Sequence, residues 1–184
     1  MDDTTRRRSI SVLVDNEAGV LSQVSRMFSR KGYNIESLAV GTTADPKVSR
    51  ITIEVMADDQ QIDLLCNQLR KLMAVHSVKL LESDHSIRRE LVLIKISTET
   101  SEVCNRVIQI ANIFRASVID VSSTTITLAL IGEESKSDAI VDLVSEFGIL
   151  ELVRTGMVAI ERGIRTIYDQ TKERGEFDYG KNVL

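Results

Sequence analysis

The chain has 184 residues, 43% of them apolar, which is enough for a packed core and for one ordinary domain or two small ones. Its charges nearly balance at a net −4, so nucleic acid is not the default partner, because phosphate binding asks for a basic surface. No run reaches the roughly twenty apolar residues of a membrane span, and the acidic start Met1-Asp2-Asp3-Thr4-Thr5 lacks the apolar core of a secretory signal.

Residues 9–14 alternate and predict a half-buried strand with Ile10, Val12 and Val14 on its inner face. Arg6, Arg7 and Arg8 read as its solvated entry. Val20, Leu21, Val24, Met27 and Phe28 then make one apolar helical stripe, and Gly32 stands where such a helix stops. Residues 34–43 predict a second strand with irregular alternation. The turn at residues 43–47 holds the single proline, Pro46, and Ile51, Ile53 and Val55 form the hairpin partner. Asp58-Asp59 opens a second helix, striped by Ile62, Leu65, Cys66, Leu69, Leu72 and Met73. A short strand over residues 75–82 completes strand-helix-strand-strand-helix-strand.

After the polar linker Ser83-Asp84-His85-Ser86 the same order returns. Residues 91–96 predict a strand apolar on both faces, and Val103, Val107, Ile110 and Ala111 a helix. Residues 117–121 and 125–131 form a hairpin, Ile140, Leu143, Val144 and Phe147 stripe another helix, and residues 149–160 form the last strand. The expected class is α+β, with two tandem ferredoxin-like βαββαβ domains over residues 6–82 and 87–163. Residues 164–184 remain as a tail with a short helix near residues 164–172. Tyr168, Phe177 and Tyr179 are its anchor residues, and it reads equally as a frayed terminus or a docking segment.

Phosphate loops, nucleophile elbows and metal-ligand spacings are missing from the sequence. Cys66 and Cys104 fall in predicted helices, and His76 and His85 are isolated. The acidic pairs Asp58-Asp59 and Glu133-Glu134 sit where they cap helices. No catalytic residues and no metal site are assigned.

The informative stretch is Asp15-Asn16-Glu17-Ala18-Gly19-Val20-Leu21, between the first strand and the first helix. A helix start presents free amides and a partial positive charge, suited to a small carboxylate. Asp15 or Asn16 capping the helix explains a polar residue there, but not Gly19 in the first turn. A glycine there costs about 0.8–1.0 kcal/mol against alanine, and close approach of the backbone to a ligand would offset it. Ala18 keeps the neighbourhood small. The matching entry of the second domain, Glu99-Thr100-Ser101-Glu102, has no glycine and adds negative charge, so one ligand site is expected and not two. The ammonium of a free amino acid needs a partner, and Asn34 offers a carboxamide oxygen. Its plain alternative is a turn residue after Gly32-Tyr33. In this fold the second strand lies at the sheet edge, so two chains joined there bring Asn34 of one to the loop of the other, with Val20, Leu21 and Ile35 as the apolar wall.

The stretches Arg8 to Leu21 and Phe28-Ser29-Arg30-Lys31-Gly32-Tyr33-Asn34-Ile35-Glu36-Ser37-Leu38 strongly resemble the acetohydroxyacid synthase (acetolactate synthase) small regulatory subunit. The likeness continues through Ser49-Arg50-Ile51-Thr52, Gln68-Leu69-Arg70-Lys71-Leu72, Arg89-Glu90-Leu91-Val92-Leu93-Ile94-Lys95, Phe114-Arg115-Ala116, Ile119-Asp120-Val121 and Arg154-Thr155-Gly156, over about residues 6–163. The segment from Gly32 to Leu38 sets this family apart among the small amino-acid-binding ACT domains. The resemblance implies an N-terminal ACT domain, a C-terminal ACT-like domain and a homodimer through ACT domains. It also implies a large catalytic subunit as partner, which carries thiamine diphosphate, Mg and FAD and serves valine, leucine and isoleucine synthesis. It places Asn16, Gly19 and Asn34 in the effector site, with valine the usual bacterial effector. No cofactor is expected in this chain, no nucleic acid or membrane contact, and a cytoplasmic location (the plastid stroma in an alga or plant). Two other classes stand against this. A stand-alone ACT-type sensor or transcriptional regulator needs a basic DNA-reading helix, which is missing. A ferredoxin-like RNA binder needs aromatic residues on its strands, which carry almost none besides Tyr33.

Overall fold

The computed structural model describes residues 5–170. They form two compact units: residues up to Ile87 together with those from Ala159 onward, and Arg88–Val158. Among the described residues no helix is long and apolar enough to cross a membrane.

The first unit runs β1 (Arg6–Asp15), α1 (Val20–Arg30), β2 (Ser37–Thr42), β3 (Val48–Ala57), α2 (Asp59–Leu69) and β4 (Val75–Leu81). Its antiparallel sheet has the order β2-β3-β1-β4. The period-two alternation decides one face: Ile10 pairs with Ile53 and Val12 with Ile51, and these residues form a core with Val24 and Phe28 of α1 and Ile62, Leu65 and Leu69 of α2. Phe28 is fully buried. α1 ends as the sequence predicts. Gly32 takes φ +74°, the Gly32 amide donates to Ser29 O and the Tyr33 amide to Phe28 O, each at 3.1 Å, which closes the last turn. α2 opens on a reciprocal cap: the Gln61 amide donates to Asp58 Oδ1 at 2.7 Å and the Asp58 amide to Gln61 Oε1 at 3.0 Å. Such a cap is worth about 1 kcal/mol.

Several local expectations change. β2 begins at Ser37, not Asn34, because the chain is still leaving the closing turn of α1 and Glu36 is the first residue to bond the sheet, its amide donating to Glu54 O at 2.8 Å. Arg8 is not solvated. It is buried, with Nη2 2.9 Å from Asp59 Oδ1. Glu133 stands just before its helix, and its side chain caps no helix amide but pairs with Arg89 at 2.9 Å.

A further one concerns the other face of the first sheet, which alternation assigns to solvent. Ser9, Ser11, Thr52, Glu54, Ser77 and Lys79 are all buried there. Ser9 Oγ donates to Glu54 Oε1 at 2.8 Å. The chain after Ala159 returns over part of this face as a strap. An Arg50 amine donates to Ala159 O, Lys79 Nζ to Thr166 O and Ser77 Oγ to Ile167 O, each at 2.7 Å. Lys79 also pairs with Glu161. Burial pushes the Arg50 guanidinium below its ordinary value.

The second unit contains β5 (Ser86–Ser97), α3 (Ser101–Phe114), β6 (Ser117–Val121), β7 (Thr125–Gly132), α4 (Glu134–Ser145) and β8 (Ile149–Arg154), in the sheet order β6-β7-β5-β8. Val92, Ile94 and Ile96 pack with Val107 and Ala111 of α3 and Ile140 and Val144 of α4. The fold is therefore α+β with two βαββαβ units. The strand predicted over residues 149–160 is two strands, β8 and β9 (Val158–Glu161), because Gly156 turns the chain at φ +79°. After that turn β9 pairs with β5, and the chain from Ala159 onward falls in the first compact unit. The tail helix predicted near residues 164–172 is a single 3-10 turn, Ile167–Gln170. Phe177 and Tyr179 lie outside the described residues.

Candidate functional site

The loop between β1 and α1 is built by its neighbours. The end of β1 pairs Asp15 with Val48 of β3. Beyond it the Asn16 amide donates to Lys47 O at 2.7 Å, Asn16 Nδ2 to Pro46 O at 2.9 Å, and Ser49 Oγ to Asn16 Oδ1 at 3.0 Å. Asp15 Oδ1 lies 2.7 Å from His76 Nε2. So neither Asp15 nor Asn16 caps α1. Both side chains are held by the β2–β3 turn and by β4, since those polar groups converge on the end of β1.

Gly19 stands just before the helix, at φ +88° and ψ −14°, and no side chain caps the first turn or places a negative charge in it. Gly19 lies before the first turn and not inside it. A Cβ there would meet no atom of the chain within 4 Å, and the left-handed backbone favours a glycine by about 1–2 kcal/mol over an ordinary residue. The result is an uncapped helix start whose loop residues Asn16, Glu17, Ala18 and Gly19 are exposed. Amides and dipole both favour a small anion there. The corresponding helix of the second unit is closed: Thr100 accepts the Val103 amide at 3.3 Å, and Glu102 sits in the first turn.

The predicted apolar wall divides. Leu21 is 41% exposed, Ile35 is half-buried against the core, and Val20, at 5% exposed, turns its side chain into the core and contributes to the loop through its backbone. Asn34 is exposed, and its Nδ2 donates to Glu36 Oε1 at 3.0 Å. It does not meet the loop within one chain. Glu36 bonds Glu54, which lies opposite Ser9, whereas the loop follows Asp15. Those points on β1 are about 20 Å apart. Sequence reasoning missed Ser49 and His76 as supports of the loop. His76 has no local signal, because its partner is 61 residues away.

A separate cavity of about 380 Å³ opens beside β4, lined by Lys79, Leu80, Glu82, His85, Glu161, Arg165 and Asp169, away from the loop. Among the described residues no three His, Cys, Asp or Glu side chains group to hold a metal ion. Burial pushes the Cys66 thiol up to about 11, which makes it a packing group and not a nucleophile.

Two family models match the chain. One, described as an AHAS small subunit-like ACT domain, covers residues 10–77, and the other, small subunit of acetolactate synthase, covers residues 89–163. The acetolactate synthase small subunit of Aquifex aeolicus is 43% identical over 157 residues, 85% of this chain and 82% of that one. That of Mycobacterium bovis is 41% identical over 162 residues, 88% of this chain and 96% of its own. The chain belongs to the acetolactate synthase small-subunit family. The crystal structure of the small subunit from Thermotoga maritima superposes with a TM-score of 0.80 at 34% identity, covering 86% of this chain and 98% of that one. The small-subunit family supports a regulatory, non-catalytic role in branched-chain amino acid biosynthesis, and the uncapped helix start lies inside the ACT-type match.

Proposed function

We propose that this chain binds and activates the large catalytic subunit of acetohydroxyacid synthase and makes it sensitive to feedback inhibition by valine or another branched-chain amino acid. Thiamine diphosphate, Mg and FAD belong to that partner. The observation that carries the reading is the uncapped, exposed helix start at Gly19 in the first unit, beside a capped counterpart in the second.

The effector carboxylate docks on the amides at the start of α1, where the helix dipole is positive. Its ammonium is met by Asn34 of the partner subunit. Topology supports this arrangement. β2 is an edge strand, and its Val40 is 49% exposed. Antiparallel pairing of two β2 edges sets the start of one against the end of the other. The end of β2 leads into the turn that holds Asn16, and the start follows Asn34. The 20 Å separation within one chain thus becomes proximity between two. The side chain of the amino acid rests against Leu21. Effector binding then favours one arrangement of the dimer, with a coupling of about 1–3 kcal/mol to the catalytic partner.

The experiment mixes purified chain with the catalytic subunit and titrates valine, leucine and isoleucine. The expected result is a rise in acetolactate formation that a branched-chain amino acid reverses. A Gly19→Asp chain that activates but still responds fully to the effector overturns the site.

A further inference from the structure

We propose that Ile167, in the strap that follows Ala159, positions the effector loop, so that docking of the strap and occupancy of the loop are linked. The inference rests on the loop being the effector site and adds the means of its regulation. Ile167 is 4% exposed and packs with Leu13 and Val48 in a small cluster separate from the helix-side core. Leu13 lies two residues before Asp15, and Val48 is the residue opposite Asp15. Lys47 and Ser49, on either side of Val48, are the groups that hold Asn16. Ile167 therefore wedges beneath the two strand ends from which the loop springs.

A second connection runs through β4. The β1–β4 register shifts at this point, with Leu13 opposite Ser77 and Val14 opposite Val75, so His76 is the extra residue of a bulge. His76 meets Asp15 at 2.7 Å, while its neighbour Ser77, which is buried, donates to Ile167 O at 2.7 Å. One bulge thus holds the loop on one side and the strap on the other. The other polar groups that grip the strap are Arg50 and Lys79 on the carbonyls of Ala159 and Thr166, and Lys79 on the carboxylates of Glu161 and Asp169. Ile167 and Ala159 are the buried apolar side chains of the strap, and Ile167 is the larger, while Ile164 and Tyr168 are exposed.

A strap held this way has two arrangements, docked and released, and the released one removes the support under Leu13 and Val48. By reciprocity, a ligand that favours the ordered loop also favours the docked strap. The strap carries Arg162 and Arg165, which makes release readable by trypsin.

The test uses the full chain with Ile167→Ala, Ile167→Val, Ser77→Ala and, as a control, Gly19→Asp. Amide exchange is followed at Asn16 and Val48 without ligand. Ile167→Ala and Ser77→Ala should each speed exchange there about tenfold or more, Ile167→Val should restore it, and Val12 and Ile53 in the sheet centre should not change. Valine affinity should fall about fivefold or more in Ile167→Ala. Valine should slow cleavage after Arg165 in the parent chain but not in Gly19→Asp. Fast cleavage after Arg165 with unaltered loop exchange in both strap variants overturns the proposal. If no branched-chain amino acid binds the parent chain, the effector reading fails while the ligand-free exchange still decides whether strap and loop are linked.

Discussion

Ser49 Oγ donates to Asn16 Oδ1 at 3.0 Å, across the gap between the end of β1 and the start of β3. With the bond from Asn16 Nδ2 to Pro46 O, this ties the loop before α1 to the turn before β3. Asn16→Ala deletes both bonds at an exposed site. The expected loss is about 1–2 kcal/mol, local to the loop, with a weakened effector response and an intact fold. Urea melts followed by effector titration of the assembled complex check it; an unaltered titration would show that the tether is dispensable.

Gly19 separates backbone strain from charge. Gly19→Ala meets no atom within 4 Å but must hold φ +88°, so it should cost about 1 kcal/mol of stability and leave measurable effector binding. Gly19→Asp carries a similar strain and adds a negative charge at the docking amides, so binding should vanish while activation of the catalytic subunit persists. Calorimetry on the pair checks this. Equal affinities for the two variants would mean that strain and not charge governs the site.

Cys66 should resist thiol reagents in the folded chain. Its pKa of about 11 leaves on the order of one thiolate in a thousand at pH 8, and it is buried on α2, while Cys104 is half-buried on α3. Mass spectrometry after brief alkylation should find Cys104 labelled first and Cys66 only as the first unit opens. Early labelling of Cys66 would contradict its burial.

Acid should loosen the strap. The Thr166 amide, donating to Asp169 Oδ2 at 2.7 Å, is the first cause that holds the Asp169 carboxyl below 3.8, with the Thr166 hydroxyl, Lys79 and Arg165 adding to it. Glu161, on the same Lys79, faces it as well. A depressed folded value means that the stabilisation is present above the ordinary carboxylate range and is lost as pH falls through the folded value. Exchange at Thr166 and Ile167 should differ between the parent and Asp169→Asn at pH 6, and the difference should close as pH drops below about 3.8. A gap unchanged with pH would remove Asp169 from the latch.

Phe28 anchors the helix that carries the loop. Phe28→Ala should destabilise the first unit by about 3–5 kcal/mol, the usual cost of an emptied aromatic site in a core. Thermal unfolding checks this, and a smaller loss would show that Tyr33 and Met27, which pack around that core, collapse into the space.

The helix-facing side of each sheet was legible because alternation along a strand records burial against elements close in sequence. Ile10, Val12 and Val14 announce it, as do Gly32 at the end of α1 and Asp58 at the start of α2. The loop was visible too, since Gly19 marks an unusual backbone, and the structure adds its positive φ. Local pattern could not show what lies over the second face. Ser9, Ser11, Ser77 and Lys79 look like solvent residues in any window, and they are buried in the folded chain. Ser77 and Lys79 meet a strap about ninety residues further on.

Sequence alone determined the two βαββαβ units and the glycine-bearing start of the first helix, since each is written in spacing within some twenty residues, and it pointed to the family through a resemblance over about residues 6–163. Tertiary structure alone decided that Asn16 is a tether, that His76 supports Asp15, that Asn34 and the loop lie at opposite ends of one sheet, and that Ile167 packs on Leu13 and Val48. The physical reason is that a hydrogen bond or a buried contact between distant segments leaves no period in the chain. It depends on where folding brings their backbones together.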